Sequence, residues 1–201
     1  MRRTTGKRRS AGAHAAPPAV FLLVMGVLSW AAATPAFAAD PPPTFRAGFA
    51  ERDVSPKVGD EAPGGYGKAR HGAFHDACKA RAAVFDDGQG PVAIVGLDAL
   101  LIRKPTVTEA RKRIAARTGI APERVLIAAS HSHSAGPTGM ILPGEFDGDS
   151  ALVRSLAYDK TVTANDDYLE KVTEGIAAAV TEAFERRTDV RAAAGYGLAE
   201  G

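Results

Sequence analysis

Two histidines one residue apart, His131 and His133, sit in a run of small polar residues, Ser130-His131-Ser132-His133-Ser134, followed by Ala135-Gly136-Pro137. In an extended chain residues i and i+2 point to one side, so both imidazoles can address a single point. Neutral imidazole is a good zinc ligand, and Ser132, Ser134, Ala135 and Gly136 are small enough to let a substrate approach. On the residues alone the pair also reads as a polar loop or as a hydrogen-bonded structural pair. It is not the H-x-H-x-D-H metal motif, because positions 135 and 136 are Ala and Gly, and Ser134 lacks the two flanking glycines of a G-x-S-x-G nucleophile elbow.

Three further residues could serve such a pair. His75-Asp76 can set an imidazole beside an orienting carboxylate, as partners behind metal ligands do, or it can be a solvated loop pair that shares its segment with His71. Asp98 ends an apolar run and either accepts a bond from a metal-ligating imidazole or caps the turn that follows. Cys78 is the single cysteine, so no intrachain disulfide can form; its setting, Ala77-Cys78-Lys79-Ala80, suits a partly buried structural thiol.

These groups need elements to hold them. Phe45 to Ala50 is a short strand candidate, and the glycine-rich stretch from Pro63 to Gly72 is a loop that packs backbone closely against something. Ala80 to Phe85 and Val92 to Leu97 flank Asp86-Asp87-Gly88, which predicts a hairpin. A helix follows, with Pro105 in its first turn, apolar Val107, Ala110, Ile114 and Ala115, basic Arg111, Lys112, Arg113 and Arg117, and Gly119 past its end. Val125 to Ala129 then reads as a buried strand, which makes a βαβ unit with Val92 to Leu97. In an open α/β sheet ligands bind beyond the carboxyl ends of parallel strands, where Ser130–Ser134 falls.

Ser134 to Asn165 is a long polar excursion, of a length that is usually functional or mobile. Tyr168, Leu169, Val172, Ile176, Ala179, Val180 and Ala183 recur at spacings of three and four and form one buried stripe of a helix capped by Asn165 or Asp166. Val190 to Gly197 reads as a last strand. The expected class is α/β, a mixed sheet with a βαβ unit, a hairpin and helices packed on it.

The N-terminus has the order of a secretory signal peptide: basic residues Arg2 to Arg9, an apolar run from Ala19 to Trp30, and small residues ending Ala36-Phe37-Ala38. Residues 1–38 are the expected signal, cleaved after Ala38, 39–44 a stiff linker, and 45–201 the catalytic-domain part of a secreted or periplasmic protein. Of 201 residues, 25 are Lys or Arg and 23 Asp or Glu. Five of the basic residues lie in the signal, which leaves the rest net acidic and argues against a nucleic-acid partner.

The ordered motifs Gly48–Pro56, Gly64-Gly65-Tyr66-Gly67, His75-Asp76, Gly96-Leu97-Asp98, Ile120–Val125 and Ala128–Ser134 resemble the N-terminal region of neutral/alkaline non-lysosomal ceramidases. The resemblance runs from about Phe45 to Gly201, and its most specific part is Ser130–Ser134, similar to the family's T-H-T-H-S-G-P. It implies an exported zinc amidase that hydrolyses the N-acyl bond of ceramide, with a lipid or small-molecule amide as substrate and peripheral contact with membrane lipid. It also implies zinc on His131 and an oxyanion-binding role for His133; the two roles are interchangeable on spacing. Ala135 makes the loop one residue longer than the family's. The family's other ligands, a His, a Glu and a Tyr, lie downstream, and no histidine follows His133, so the expectation is an N-terminal fragment inactive alone. The alternatives are a catalytically silent binding domain and a metal hydrolase of another amide or ester.

Overall fold

The computed structural model describes residues 45–65 and 67–198, so the expected signal peptide and linker lie outside the described residues. Strands β1 (Arg46–Asp53), β2 (Lys79–Asp86), β3 (Val92–Leu97), β4 (Val125–Ala129) and β5 (Thr188–Asp189) form one sheet in the order β4-β3-β2-β1-β5. The helices are α1 (Lys104–Thr118), α2 (Ala151–Arg154) and α3 (Asp166–Glu185). The class is α/β with a mixed sheet, as the apolar patterning implies.

The hairpin forms at the D-G signal. β2 and β3 pair antiparallel with Phe85 opposite Val92, and the carboxylates of Asp86 and Asp87 accept the Gly88 and Gln89 amides at 3.0 and 2.9 Å, the Asx bonds that turn the chain. β3 and β4 pair parallel from Ala93↔Val125 to Leu97↔Ala129, and α1 connects them. α1 has Pro105 in its first turn and ends on Gly119, whose amide returns to the Ala115 carbonyl. The basic residues of α1 serve the fold. Arg111 donates to the Val125 carbonyl, and Arg113 and Arg117 fork onto Glu170 and Glu174 of α3.

α3 lies across β1 and β2 beside α1. Its side chains Val172, Ile176 and Val180 meet Val84, Val95, Leu97 and Ile114 in the core, all fully buried. Asn165 caps α3, its Oδ1 accepting the Tyr168 amide. The stripe shifts slightly from the expected one: Leu169 is half-buried, while Thr173 and Ala177 are buried. Among the described residues the helices cover one face of the sheet only. On the other, Phe49, Ile94 and Leu126 are 63%, 46% and 56% exposed.

Two expectations are corrected. Val125–Ala129 is an edge strand buried on one face, not a fully buried one, because nothing among the described residues packs on the side of Leu126 and Ala128. The strand expected over Val190–Gly197 does not form; the strand there is the two residues before it, Thr188–Asp189. β5 runs antiparallel to β1 with Arg46 opposite Asp189, so later residues would need partners before the start of β1. The excursion from Ser134 to Asn165 has structure of its own: α2, capped by Ser150, continues into a π-helical turn over Ser155–Lys160. It closes on itself through Ile141 and Thr163, and Tyr158 bonds both Asp147 and the Phe146 amide. Among the described residues no helix is long and apolar enough to cross a membrane.

Candidate functional site

The parallel pairing of β3 and β4 does not stop where the strands do. The Ser130 amide donates to Leu97 O at 2.9 Å and the Ser132 amide to Ala99 O at 3.1 Å, so the histidine segment runs on beside Leu97–Leu101. Further along, the Thr138 hydroxyl donates to Leu101 O. The stretch Ala135–Gly139 is buried, which anchors the loop from its far side while His131 and His133 stay exposed.

Between the two anchoring amides, His131 has φ 64, the only non-glycine residue among those described with positive φ. A bulky residue in the left-handed region costs of order 1–3 kcal/mol and persists only where its surroundings enforce it. Here the imidazole Nδ1 lies 2.9 Å from Leu100 O. A carbonyl can only accept, so this nitrogen carries the proton, and in the neutral imidazole the lone pair is then on Nε2, the arrangement a metal-ligating imidazole needs. The rings of His131 and His133 lie 5.1 Å apart at 79°. The rings lie close edge to face, and the backbone between them turns through the left-handed region at His131 rather than following the extended geometry the spacing alone suggests.

The glycine-rich loop packs its backbone on His133. A Cβ on Gly64, which has φ 99, would fall 2.4 Å from His133 Nδ1, so this face of the imidazole is lined by bare main chain. The same loop brings His71 across: its Nε2 donates to Ala135 O at 3.0 Å, and its ring lies 4.6 Å from that of Phe74, tilted by 42°. Ala135, the residue that lengthens the loop, is thus fully buried with its carbonyl engaged.

Beside His133 opens a cleft of about 570 Å³, lined by His71, Phe74, His75, Asp76, Cys78, Asp98 and Ser132–Ser134 among others. His75 does bond Asp76, at 3.0 Å, and both project into solvent, 96% and 89% exposed. Asp98 sits at the end of β3, where its carboxylate accepts the Lys79 amide at 2.9 Å and the Arg81 guanidinium at 2.8 Å. It ties β3 to β2 at the rim of the cleft. Cys78 is buried, its thiol 3.8 Å from Ser134 O. Burial, with the charges of Asp98 and Asp53 behind it, pushes that thiol up, away from the thiolate a nucleophile needs.

Among the described residues no group of three or more His, Cys, Asp or Glu side chains could hold a metal ion. His131 fits a single ligand position by its tautomer, but two imidazoles fall short of the three protein ligands of a catalytic zinc centre. Histidine spacing marked this loop in advance, whereas the roles of His71 and Gly64 could not be read, because each depends on a partner some seventy residues away.

No protein-family profile matches the sequence, and no curated protein matches it. The backbone does find relatives. A neutral ceramidase from Pseudomonas aeruginosa aligns with a TM-score of 0.57 at 19% identity, over 74% of this chain and 23% of that one. A ceramidase complexed with C2 aligns with a TM-score of 0.53 at 20% identity, over 73% and 22%. The chain has a ceramidase-like fold. It spans under a quarter of the length of either ceramidase, and at these identities the likeness is one of backbone. Within this ceramidase-like fold the histidine loop, the glycine-rich loop and the cleft lie together at the carboxyl ends of the parallel pair, the usual ligand position of such sheets.

Proposed function

We propose that this chain is part of an exported zinc-dependent amidase of the neutral ceramidase type, which hydrolyses the N-acyl bond of ceramide-like lipids. The observation that supports it best is His131: an exposed imidazole held in a strained backbone conformation, with Nδ1–H on Leu100 O, the lone pair of the neutral ring on Nε2, and His133 at 5.1 Å. Strain of this kind persists only where the surroundings enforce it, and it gathers at functional sites. In this reading His131 is one zinc ligand, and the others come from chain beyond these residues. Zinc, when bound, lowers the pKa of a coordinated water toward ~7 and polarises the amide carbonyl.

The chain's own residues supply the rest. His133 lies at the mouth of the cleft and donates a hydrogen bond to the oxygen of the tetrahedral intermediate, where charge develops. Ser132 and Ser134 leave the approach open. Residues 1–38 direct export and 39–44 form the linker. The substrate is a lipid or small-molecule amide met at the membrane surface by peripheral contact; nucleic acid has no part in it. His75 and Asp98 stay near the site as rim residues.

Alone, the chain is inactive in this reading. The absence of any three-ligand group among the described residues also favours a second reading, a catalytically silent binding domain on the same scaffold. Elemental analysis and N-acyl sphingosine turnover separate the two, measured on this chain, on a form extended by its downstream reading frame, and on the extended His131→Ala variant. The amidase reading expects about one zinc per extended protein, chelator-sensitive turnover, and loss of both in the variant. A metal-free or chelator-insensitive extended protein would overturn it.

A further inference from the structure

The histidine loop is held from beneath by one side chain on a distant element. Tyr168 lies in the first turn of α3 and is buried, with its hydroxyl donating to Val54 O at 2.9 Å. Val54 follows β1 and is itself fixed, its amide donating to Cys78 O at 2.8 Å. Against the same phenol lies the main chain of Gly136, three residues after His133. A Cβ at 136 would fall 2.2 Å from the ring Cζ and 2.6 Å from the hydroxyl oxygen. Burial pushes the phenol far above its usual range, followed in effect by the nearby Cys78, while the Gly136 amide acts the other way. The hydroxyl therefore stays protonated and remains a donor at all ordinary pH values.

We propose that Tyr168 is a positioning residue: it pins the buried half of the histidine loop to the end of β1 and so sets where His133, and with it His131, stands. Its hydroxyl bonds Val54 O rather than either imidazole. It works through Gly136, and the loop has no slack, because Ala135 is buried, its carbonyl is bonded by His71, and Thr138 is tied to Leu101. Removing the hydroxyl leaves Val54 O unpaired in the core and a gap beneath Gly136. The loop then settles into that gap, carrying His133 with it.

The inference bears on the amidase reading but is tested without it. On the metal-free chain, with chelator present, the imidazole resonances of His131 and His133 are assigned by NMR in the parent, Tyr168→Phe and Val172→Ala. Val172 is fully buried one turn further along α3, so its truncation loosens the same helix while the Tyr168 hydroxyl keeps its bond to Val54 O. Tyr168→Phe should move the His133 resonances by more than a linewidth and His131 by less, while Val172→Ala leaves both in place. Unmoved resonances in Tyr168→Phe, or equal movement in both variants, overturn the proposal. Should Tyr168→Phe fail to fold, Gly136→Ala perturbs the same contact from the loop side and is read in the same way. A failed amidase assay with a positive NMR result would remove the reaction and leave the positioning role standing.

Discussion

At the residue scale the site is defined by side chains that meet bare backbone. His133 faces Gly64, and a methyl there would sit 2.4 Å from Nδ1 and 2.8 Å from Cβ of the imidazole, at a φ of 99 that L-residues avoid. Gly64→Ala therefore carries both a clash and backbone strain, together ~1–3 kcal/mol. The expected outcome is a lower urea midpoint and a His133 ring displaced from the cleft mouth in the structure of the variant. A His133 that stays in place at unchanged stability would show the glycine to be incidental. Cys78 belongs to the same scale: a thiol raised by burial makes it part of the floor under Ser134 rather than a reactive group.

At the element scale, α1 and α3 are joined across their exposed sides by ion pairs. Arg113 reaches Glu170 at 2.6 Å and Arg117 reaches Glu174 at 2.7 Å, while Glu109, within α1, braces Arg113 at 3.1 Å. Hydrogen bonds from Arg113 hold the Glu170 and Glu109 carboxyls below the usual range, and Arg117 does the same for Glu174. A carboxyl depressed in the folded state is protonated first in the unfolded chain, so its stabilisation is present above the ordinary Glu value near ~4.3 and is lost as pH falls through the lower folded values. With Glu170 and Glu174 60% and 46% exposed, each pair contributes only ~0.2–1 kcal/mol. Urea midpoints should decline as pH falls below about 4.3, and Arg113→Met/Arg117→Met should start lower and decline less over that window. A parallel decline in both proteins would place the acid sensitivity elsewhere.

At the scale of the whole molecule, helices cover one face of the sheet, and among the described residues nothing covers the other. Leu97 points into the covered face and is 1% exposed, whereas Ile94, on the same strand, is 46% exposed. Leu97→Ala should cost ~2–5 kcal/mol. Ile94→Thr should stay within about 0.5 kcal/mol. Chemical denaturation of the two variants checks this; comparable costs would mean that the second face is covered in solution. The same one-sided packing explains why β4 tolerates Leu126 and Ala128 in the open although its apolar run reads as doubly buried.

Local chemistry alone determined most of the elements. The Asp87-Gly88 turn, the Pro105 start and Gly119 stop of α1, the Asn165 cap and the 3.6-residue stripe of α3 act over a few residues, so the sequence displays them directly. It likewise showed that His131 and His133 follow a parallel strand, which is where a ligand would bind. What only the tertiary structure decided were relations between distant segments: Gly64 on His133, His71 on Ala135 O, Tyr168 beneath Gly136, and Asp98 spent on Lys79 and Arg81. The left-handed turn at His131 is of the same kind, because its cost is met by the Leu100 carbonyl on the neighbouring strand-end segment rather than by anything local. Periodicity and turn chemistry report a residue's own dihedral angles and its near neighbours. Which backbone arrives from sixty or a hundred residues away is set by the collapse of the whole core.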